Sequence, residues 1–403
     1  MLVCKISMWI VKYITALVLM IEVANSHTFL DDSCTLQPFG SPGVCKLMSD
    51  CKYAVKQLHK YSYYPQICGV QRREPIVCCP NKNKIRKVRK PGEISKKKCK
   101  EYSEYVNEII RPPILLPNVR KIKRNECGHK VSPLIVGGEM ANIREFPHMT
   151  AIGFKNNSDK LRWLCGGTIL SEQYILTAAH CLHDKDYGEP KYVQLGTTNL
   201  FDKSSHRQRL NILKLIPHPQ YMYPSNYHDI ALIKLEKPAK MNSYARPACL
   251  YSKPEISFER AIATGWGDVT LDGGVSNGDL RKVTLKLVDN DSCNSSYIYH
   301  ISKKKLKNGI VKYTQLCAGS KSEKKIEDTC LGDSGGPLQI YHVDDGIYCM
   351  YDIIGVTSFG KSCSGESGVY TRVSNYIKWI EDIVWPSIQK FSGAPKLRTK
   401  RTL

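Results

Sequence analysis

From residue 135 onward the chain predicts an all-β fold, a barrel or a sandwich. Three observations lead there. Short apolar and β-branched runs recur at close spacing: "HMTAIGF", "LCGGTIL", "KYVQLG", "IALIKL", "RAIATGWG", "KVTLKLV", "IYCMYDIIGVTSFG" and "GVYTRV". Turn residues separate them. Helical spacing is confined to the end, where Ile377, Ile380, Ile383 and Val384 recur from about Ser374 until Pro386 stops them.

The 403 residues exceed one average domain and point to two or three units. Their 42% apolar content is enough to bury a core. In chain order, residues 1–26 read as a secretory signal peptide. Lys5 and Lys12 flank an apolar stretch from Met8 to Val23, and Ala24-Asn25-Ser26 supplies the small residues of a cleavage site. That stretch is too broken for a membrane anchor, and no later segment could span a bilayer.

Cysteine usage agrees with export. Seventeen cysteines suit an oxidising compartment, and removal of Cys4 with the leader leaves an even number. Sequons at Asn156, Asn290 and Asn294 are compatible with glycosylation on the same route.

Residues 34–79 hold Cys34, Cys45, Cys51, Cys68, Cys78 and Cys79. So short a segment cannot build a sufficient apolar core, so disulfide staples are expected, though spacing alone leaves their pairing open. Residues 80–134 form a basic linker with Pro91, Pro112, Pro113 and Pro117. Within it a short helix is expected from Tyr102 to Ile110, and "RPPILLPNV" is expected to be extended. Half of the formal net charge of +22 falls between residues 80 and 130, the signature of a solvated linker or, less often, a polyanion-docking surface. The leader argues against nucleic acid as the partner. Residues 387–403 form a basic tail.

Three runs carry chemistry: "LTAAHC" with His180, "HDIALIKL" with Asp229 and "DTCLGDSGGPL" with Ser334. Each has an ordinary structural explanation alone, as a packed histidine, a capping aspartate and a glycine turn. Together they provide a weak hydroxyl nucleophile, a base to take its proton and a carboxylate to hold that base.

In that order and at those separations, the runs resemble the trypsin-like family of serine proteases over roughly residues 135–386. The resemblance implies two Greek-key β-barrels of the chymotrypsin type with a C-terminal helix. It implies that Ser334 attacks, His180 shuttles the proton, Asp229 orients His180, and the amides of Gly332 and Ser334 form the oxyanion hole. Asp328 matches the floor of the primary pocket, where a carboxylate pairs with substrate Arg or Lys. Ser358, Gly360 and Gly368 match substrate-binding wall positions. Phe359 stands where the family more often has Trp.

The family is activated by a cut before an Ile-Val-Gly-Gly run, here Ile135 to Gly138, whose new ammonium pairs with the carboxylate at Asp333. Leu134 precedes that cut. Asp328 selects Arg or Lys, so self-activation is disfavoured, and an activator of chymotrypsin-like or elastase-like specificity is implied.

The six cysteines of residues 34–79 resemble a clip domain, and with Leu134 the chain resembles Snake-like clip-domain proteases of arthropod cascades. Family pairing implies Cys34–Cys78, Cys45–Cys68, Cys51–Cys79, Cys127–Cys249, Cys165–Cys181, Cys293–Cys317 and Cys330–Cys363. Cys99 and Cys349 then remain, and a Cys99–Cys349 bridge is expected as a second tether. The role so implied is a secreted zymogen in haemolymph, with a downstream zymogen as substrate and serpins as inhibitors, in immunity, melanisation or patterning. The competing classes are an inactive clip-domain cofactor and a polyanion-binding protein. Neither a metal nor a cofactor is expected. "TNLFDKSSHRQRLNI" is too basic for the calcium loop of some relatives.

Overall fold

The structure, a computed structural model, describes residues 30–36, 41–61, 65–71, 74–80, 90–110, 121–129, 139–156, 158–267, 277–300, 304–319, 333–343, 346–360 and 367–386. The expected leader, the "RPPILLPNV" stretch, Leu134, Ile135, Asp328, Cys330, Gly332, Cys363 and the basic tail lie outside them. No helix among the described residues is long and apolar enough to cross a membrane. The chain divides into two compact units between Lys90 and Pro91.

The first unit is an antiparallel sheet of β1 (Ser33–Leu36), β2 (Ser41–Leu47), β3 (Ile67–Gln71) and β4 (Glu74–Pro80), in the order β1-β2-β4-β3, with helix α1 (Lys52–Tyr61) between β2 and β3. Its bridges are Cys34–Cys78, Cys45–Cys68 and Cys51–Cys79. Cys51, Ala54, Val77 and Cys79 form its small core, so sulfur supplies what apolar area cannot.

The second unit begins with the linker. Helix α2 (Glu93–Ser103) is followed by a hairpin of β5 (Asn107–Ile110) and β6 (Ile122–Asn125). The helix expected over Tyr102 to Ile110 is therefore corrected: it starts and ends earlier. The Asn107–Ile110 segment has two β-branched residues and a strand to pair with, which outweighs an isolated helical turn.

β7 (Glu139–Met140) leads into the barrels. The first barrel comprises β8 (Met149–Lys155), β9 (Leu161–Ile169), β10 (Tyr174–Thr177), β11 (Pro190–Leu195), β12 (Gln208–Pro217) and β13 (Ala231–Leu235), closed in the order β10-β13-β12-β11-β8-β9.

After β14 (Cys249–Leu250), the second barrel comprises β15 (Arg260–Gly265), β16 (Arg281–Val288), β17 (Gln315–Gly319), β18 (Pro337–Tyr341), β19 (Tyr351–Phe359) and β20 (Gly368–Arg372). Antiparallel pairings run β15-β16-β17-β20-β19-β18 and return to β15, closing a six-strand ring. Short helix α3 (Asn290–Ser296) follows β16, and α4 (Ile377–Val384) ends the described chain. Two closed barrels and a terminal helix agree with the expected chymotrypsin-like fold.

Strands covered on both faces read as unbroken apolar runs, which is why the alternation is blurred in sequence. Along β8, Ile152 and Phe154 enter the core of the first barrel while Met149 and Ala151 face the joint between barrels. On β15, Ala261 and Ala263 fill the second barrel while Ile262 faces the same joint. The α4 residues Ile377, Ile380 and Val384 pack back onto the core of the first barrel.

The linker is bound to this body, and here the pairing differs from expectation. Cys99 bonds Cys249, and Cys127 bonds Cys349. The expected Cys127–Cys249 and Cys99–Cys349 bridges are thus exchanged. Packing explains it. The α2 face puts Cys99 and Tyr102 into one cluster with Cys249 and Met350. Glu381 of α4 accepts from the amides of Gly92 and Ser95 at 3.1 and 2.8 Å, capping α2 from another element. The His129 ring packs at a tilt against Tyr351, ring centroids 4.4 Å apart, which carries Cys127 to Cys349. A side chain on Gly128 would collide with the backbone of Arg144, so only glycine permits that approach.

Candidate active site

The first barrel supplies His180 and Asp229. His180 lies in the short 3₁₀ turn Ala179–Leu182 that follows β10, and the Cys165–Cys181 bridge ties that turn to β9. Asp229 stands two residues before β13, buried with 3% of its surface exposed. Its carboxylate accepts from His180 Nδ1 at 2.7 Å and from the His180 amide at 2.9 Å.

The second barrel supplies the rest of the support. Ser358 Oγ donates to Asp229 Oδ2 at 2.5 Å, and Thr371 Oγ1 donates to the Asp229 carbonyl at 2.7 Å. Ser358, expected at the substrate wall, therefore also holds the carboxylate. Sequence reasoning missed Thr371, and only its place on β20 would have signalled it.

The charges of this pair favour its ionised form. Burial lifts the Asp229 carboxyl, but the His180 charge and the hydrogen bonds from His180 and Ser358 outweigh it and hold it below the ordinary range. Burial lowers His180, but the Asp229 charge and hydrogen bond outweigh that and raise it.

Ser334 lies in the turn just before β18. Its carbonyl accepts from the Gly166 amide at 2.8 Å, a direct bond from the second barrel to β9 of the first. Gly335 takes φ +76°, and a Cβ there would collide with Thr177 Oγ1, three residues before His180. That glycine brings the Ser334 turn against the His180 support. Thr177 Oγ1 in turn donates to the Gly166 carbonyl at 2.8 Å.

Asp333 points away from this surface. The Gly267 amide donates to its Oδ1 at 3.0 Å. A Cβ on Gly265 would collide with the same carboxylate, and one on Gly267 would come within 2.8 Å of it. The "TGWG" turn is thus a glycine-lined seat for Asp333, a role not read from its sequence. Gly360 and Gly368 meet at the end of the β19–β20 pair, where a Cβ on Gly360 would stand 3.7 Å from Gly368 Cα.

Chemically, the arrangement supplies a half-buried serine in a tight glycine turn and an imidazole held by a buried carboxylate. Residues 135–380 match the sequence model of the trypsin family. The chain belongs to the trypsin family of serine proteases. The protease is a serine endopeptidase by that membership. Over 352 residues it is 36% identical to Serine protease snk of Drosophila melanogaster, covering 86% of this chain and 77% of that one. It is 36% identical over 276 residues to Clotting factor G beta subunit of Tachypleus tridentatus, covering 66% and 85%. CLIP domain-containing serine protease B8 of Anopheles gambiae is 28% identical over 388 residues, covering 86% and 89%.

Histidine and cysteine also gather at Cys99, Cys249 and His342, at Cys127, His129 and Cys349, and at Cys165, His180 and Cys181. In each the cysteines are bridged to one another, so they have no thiolate to offer a metal. Of the sequon asparagines, Asn156 accepts from the amides of Ser158 and Lys160, Asn290 donates to the Ile310 carbonyl, and Asn294 accepts from the Ile310 amide. Among the described sulfurs, Cys293 also bonds Cys317.

Proposed function

We propose that the chain is the zymogen of a secreted serine endopeptidase that is cut after Leu134 and then cleaves after Arg or Lys to activate another zymogen in an extracellular cascade. The hydrogen-bonded His180–Asp229 pair beside the Ser334 turn is the observation that carries the catalytic part. Ser334 attacks the scissile carbonyl while His180 takes its proton, then returns it to the leaving amine. Asp229 keeps the His180 proton on Nδ1 and stabilises the cation. The amides of Gly332 and Ser334 receive the oxyanion. The relatives' names, one a clotting factor subunit and one a clip-domain protease, support the cascade setting.

Asp328 carries the primary specificity in this reading, with Gly360 and Gly368 leaving the pocket open. Asp328→Ser removes most preference for Arg and Lys, because the lost contact is a desolvated charge pair and not a chemical step. The ratio of kcat/KM on paired Arg and Phe peptides measures it, and an unchanged ratio refutes the pocket assignment.

Activation rests on Leu134 and Asp333. After the cut, the Ile135 ammonium pairs with Asp333, and its glycine-lined seat between Gly265 and Gly267 supports that docking. Leu134→Arg makes the zymogen open to trypsin-like enzymes, itself included, and leaves the product's activity normal because the same Ile135 terminus results. Trypsin treatment of both zymogens with amino-terminal sequencing decides. Trypsin cleavage of the wild type at Ile135 would defeat this account of Leu134.

A further inference from the structure

The bridge Cys293–Cys317 closes a loop with a sequence separation of 24 residues. Between its cysteines stand Lys303, Lys304, Lys305, Lys307 and Lys312, and neither Asp nor Glu. A charge run is ordinarily a solvated surface, but this one is packed against the segments that carry Asp229 and Ser358. Leu306 is buried together with Tyr297 and Ile310, in a cluster that also takes Tyr227 and Phe359. The Asn226 amide donates to the Lys305 carbonyl at 2.9 Å, Tyr227 Oη donates to the Gly309 carbonyl at 2.9 Å, and the Asn308 amide donates back to Tyr227 Oη at 2.7 Å.

Asn226 and Tyr227 immediately precede His228 and Asp229, and Phe359 immediately follows Ser358. The loop is therefore fixed to both walls that meet at Asp229. With Leu306 turned inward as its anchor, Lys304, Lys305 and Lys307 are exposed around it, as is Lys312. A solvated linker needs no such anchor, and like charges clustered on a packed turn favour an anionic partner.

We propose that this lysine loop is a specificity-determining surface that selects peptide substrates with acidic residues ahead of the scissile Arg or Lys. The inference rests on the reading above, in which Ser358, Gly360 and Gly368 stand at the substrate wall. Residues ahead of the scissile bond then run past Phe359 and meet the loop. The partner implied is a protein whose cleavage segment carries Asp or Glu shortly before its basic scissile residue. Complementary charge of this kind acts chiefly on encounter and register, so it appears in kcat/KM more than in kcat.

The test compares the full-length activated protease with its Lys304→Glu, Lys305→Glu, Lys307→Glu triple variant and with the matching triple Gln variant. Substrates are peptides with a glutamate run or a glutamine run ahead of the scissile arginine, and a single-arginine substrate with a chromogenic leaving group. The wild type is expected to favour the glutamate peptide by about tenfold at low salt. That preference shrinks as the screening length falls to about 8 Å at physiological salt. The Gln variant loses it and the Glu variant inverts it, while both turn over the single-arginine substrate normally. Equal preference in wild type and Glu variant overturns the proposal, as does no preference in the wild type. Loss of heparin retention in the variants with an unchanged peptide preference assigns the loop to a polyanionic glycan and also overturns it. If the wild type ignores the single-arginine substrate but cleaves its phenylalanine counterpart, the pocket reading fails instead, and the glutamate comparison is made on phenylalanine peptides.

Discussion

Asp229→Asn lowers kcat/KM of the activated protease by about 10⁴-fold and leaves secretion and activation cleavage intact. The substitution keeps shape and burial, so the effect is chemical. Asp229 accepts from His180 Nδ1, the His180 amide and Ser358 Oγ, all on its two oxygens. An amide in that place has one oxygen, and its nitrogen must face one of these donors. Facing His180, it forces the imidazole proton onto Nε2, where the lone pair should receive the Ser334 proton.

The pH profile separates this from simple misfolding. Turnover needs neutral His180, so activity rises with pH through the His180 pKa. Burial pulls that pKa down, and the Asp229 charge and hydrogen bond raise it above the ordinary value. In the variant only burial is left, so the acid limb of the residual activity moves to lower pH. Ser334→Ala, by contrast, abolishes turnover at every pH. An Asn variant with near-normal activity, or with an acid limb that does not move, would sink the assignment of roles.

The second large effect concerns the tethers. The activation cut proposed after Leu134 would fall between the linker cysteines and their partners, since Cys99 and Cys127 precede it while Cys249 and Cys349 follow it. Each single variant, Cys99→Ser or Cys127→Ser, remains one molecule on a non-reducing denaturing gel after activation. The double variant separates completely into an amino-terminal piece and a protease piece. In the uncut chain the bridges span 150 and 222 residues. The chain-entropy account gives each roughly 5 kcal/mol of stabilisation. Thiol mapping tests the exchanged pairing: Cys127→Ser should leave Cys349 alkylatable, and Cys99→Ser should leave Cys249. The opposite pattern restores the pairing expected from family resemblance.

The barrels were legible because their strands are short, apolar and set apart by turns, and "IALIKL" and "KVTLKLV" both fall within or across observed strands. One side-chain pairing was legible too, since "LTAAHC" and "HDIALIKL" mark the His180 and Asp229 that meet at 2.7 Å across 49 residues of chain. The cysteine exchange was not legible. Cys249 opens β14, which pairs alongside β19, and Cys349 lies just before β19, so the two targets sit near each other in space. Which linker cysteine reaches which is decided by how α2 and His129 dock, and docking leaves no periodic signal. Asp229 acquires Ser358 and Thr371 only when the second barrel folds onto the first, again a matter of tertiary contact.

Glu381 carries a consequence for biosynthesis. It is buried, and it caps the first turn of α2 from nearly 300 positions downstream, bonding Ser95 across 286 residues. A chain emerging from the ribosome offers its amino-terminal segments to folding first. Here the linker leaves early, yet the cap of its helix and the partners of its Cys99 and Cys127 are synthesised much later. The linker must therefore wait, unfinished, until the last helix is released. A truncated product lacking that helix would expose the naked amides of α2 and leave Trp385 absent from Tyr102. The last helix thus has to be in place before the linker helix can complete its fold.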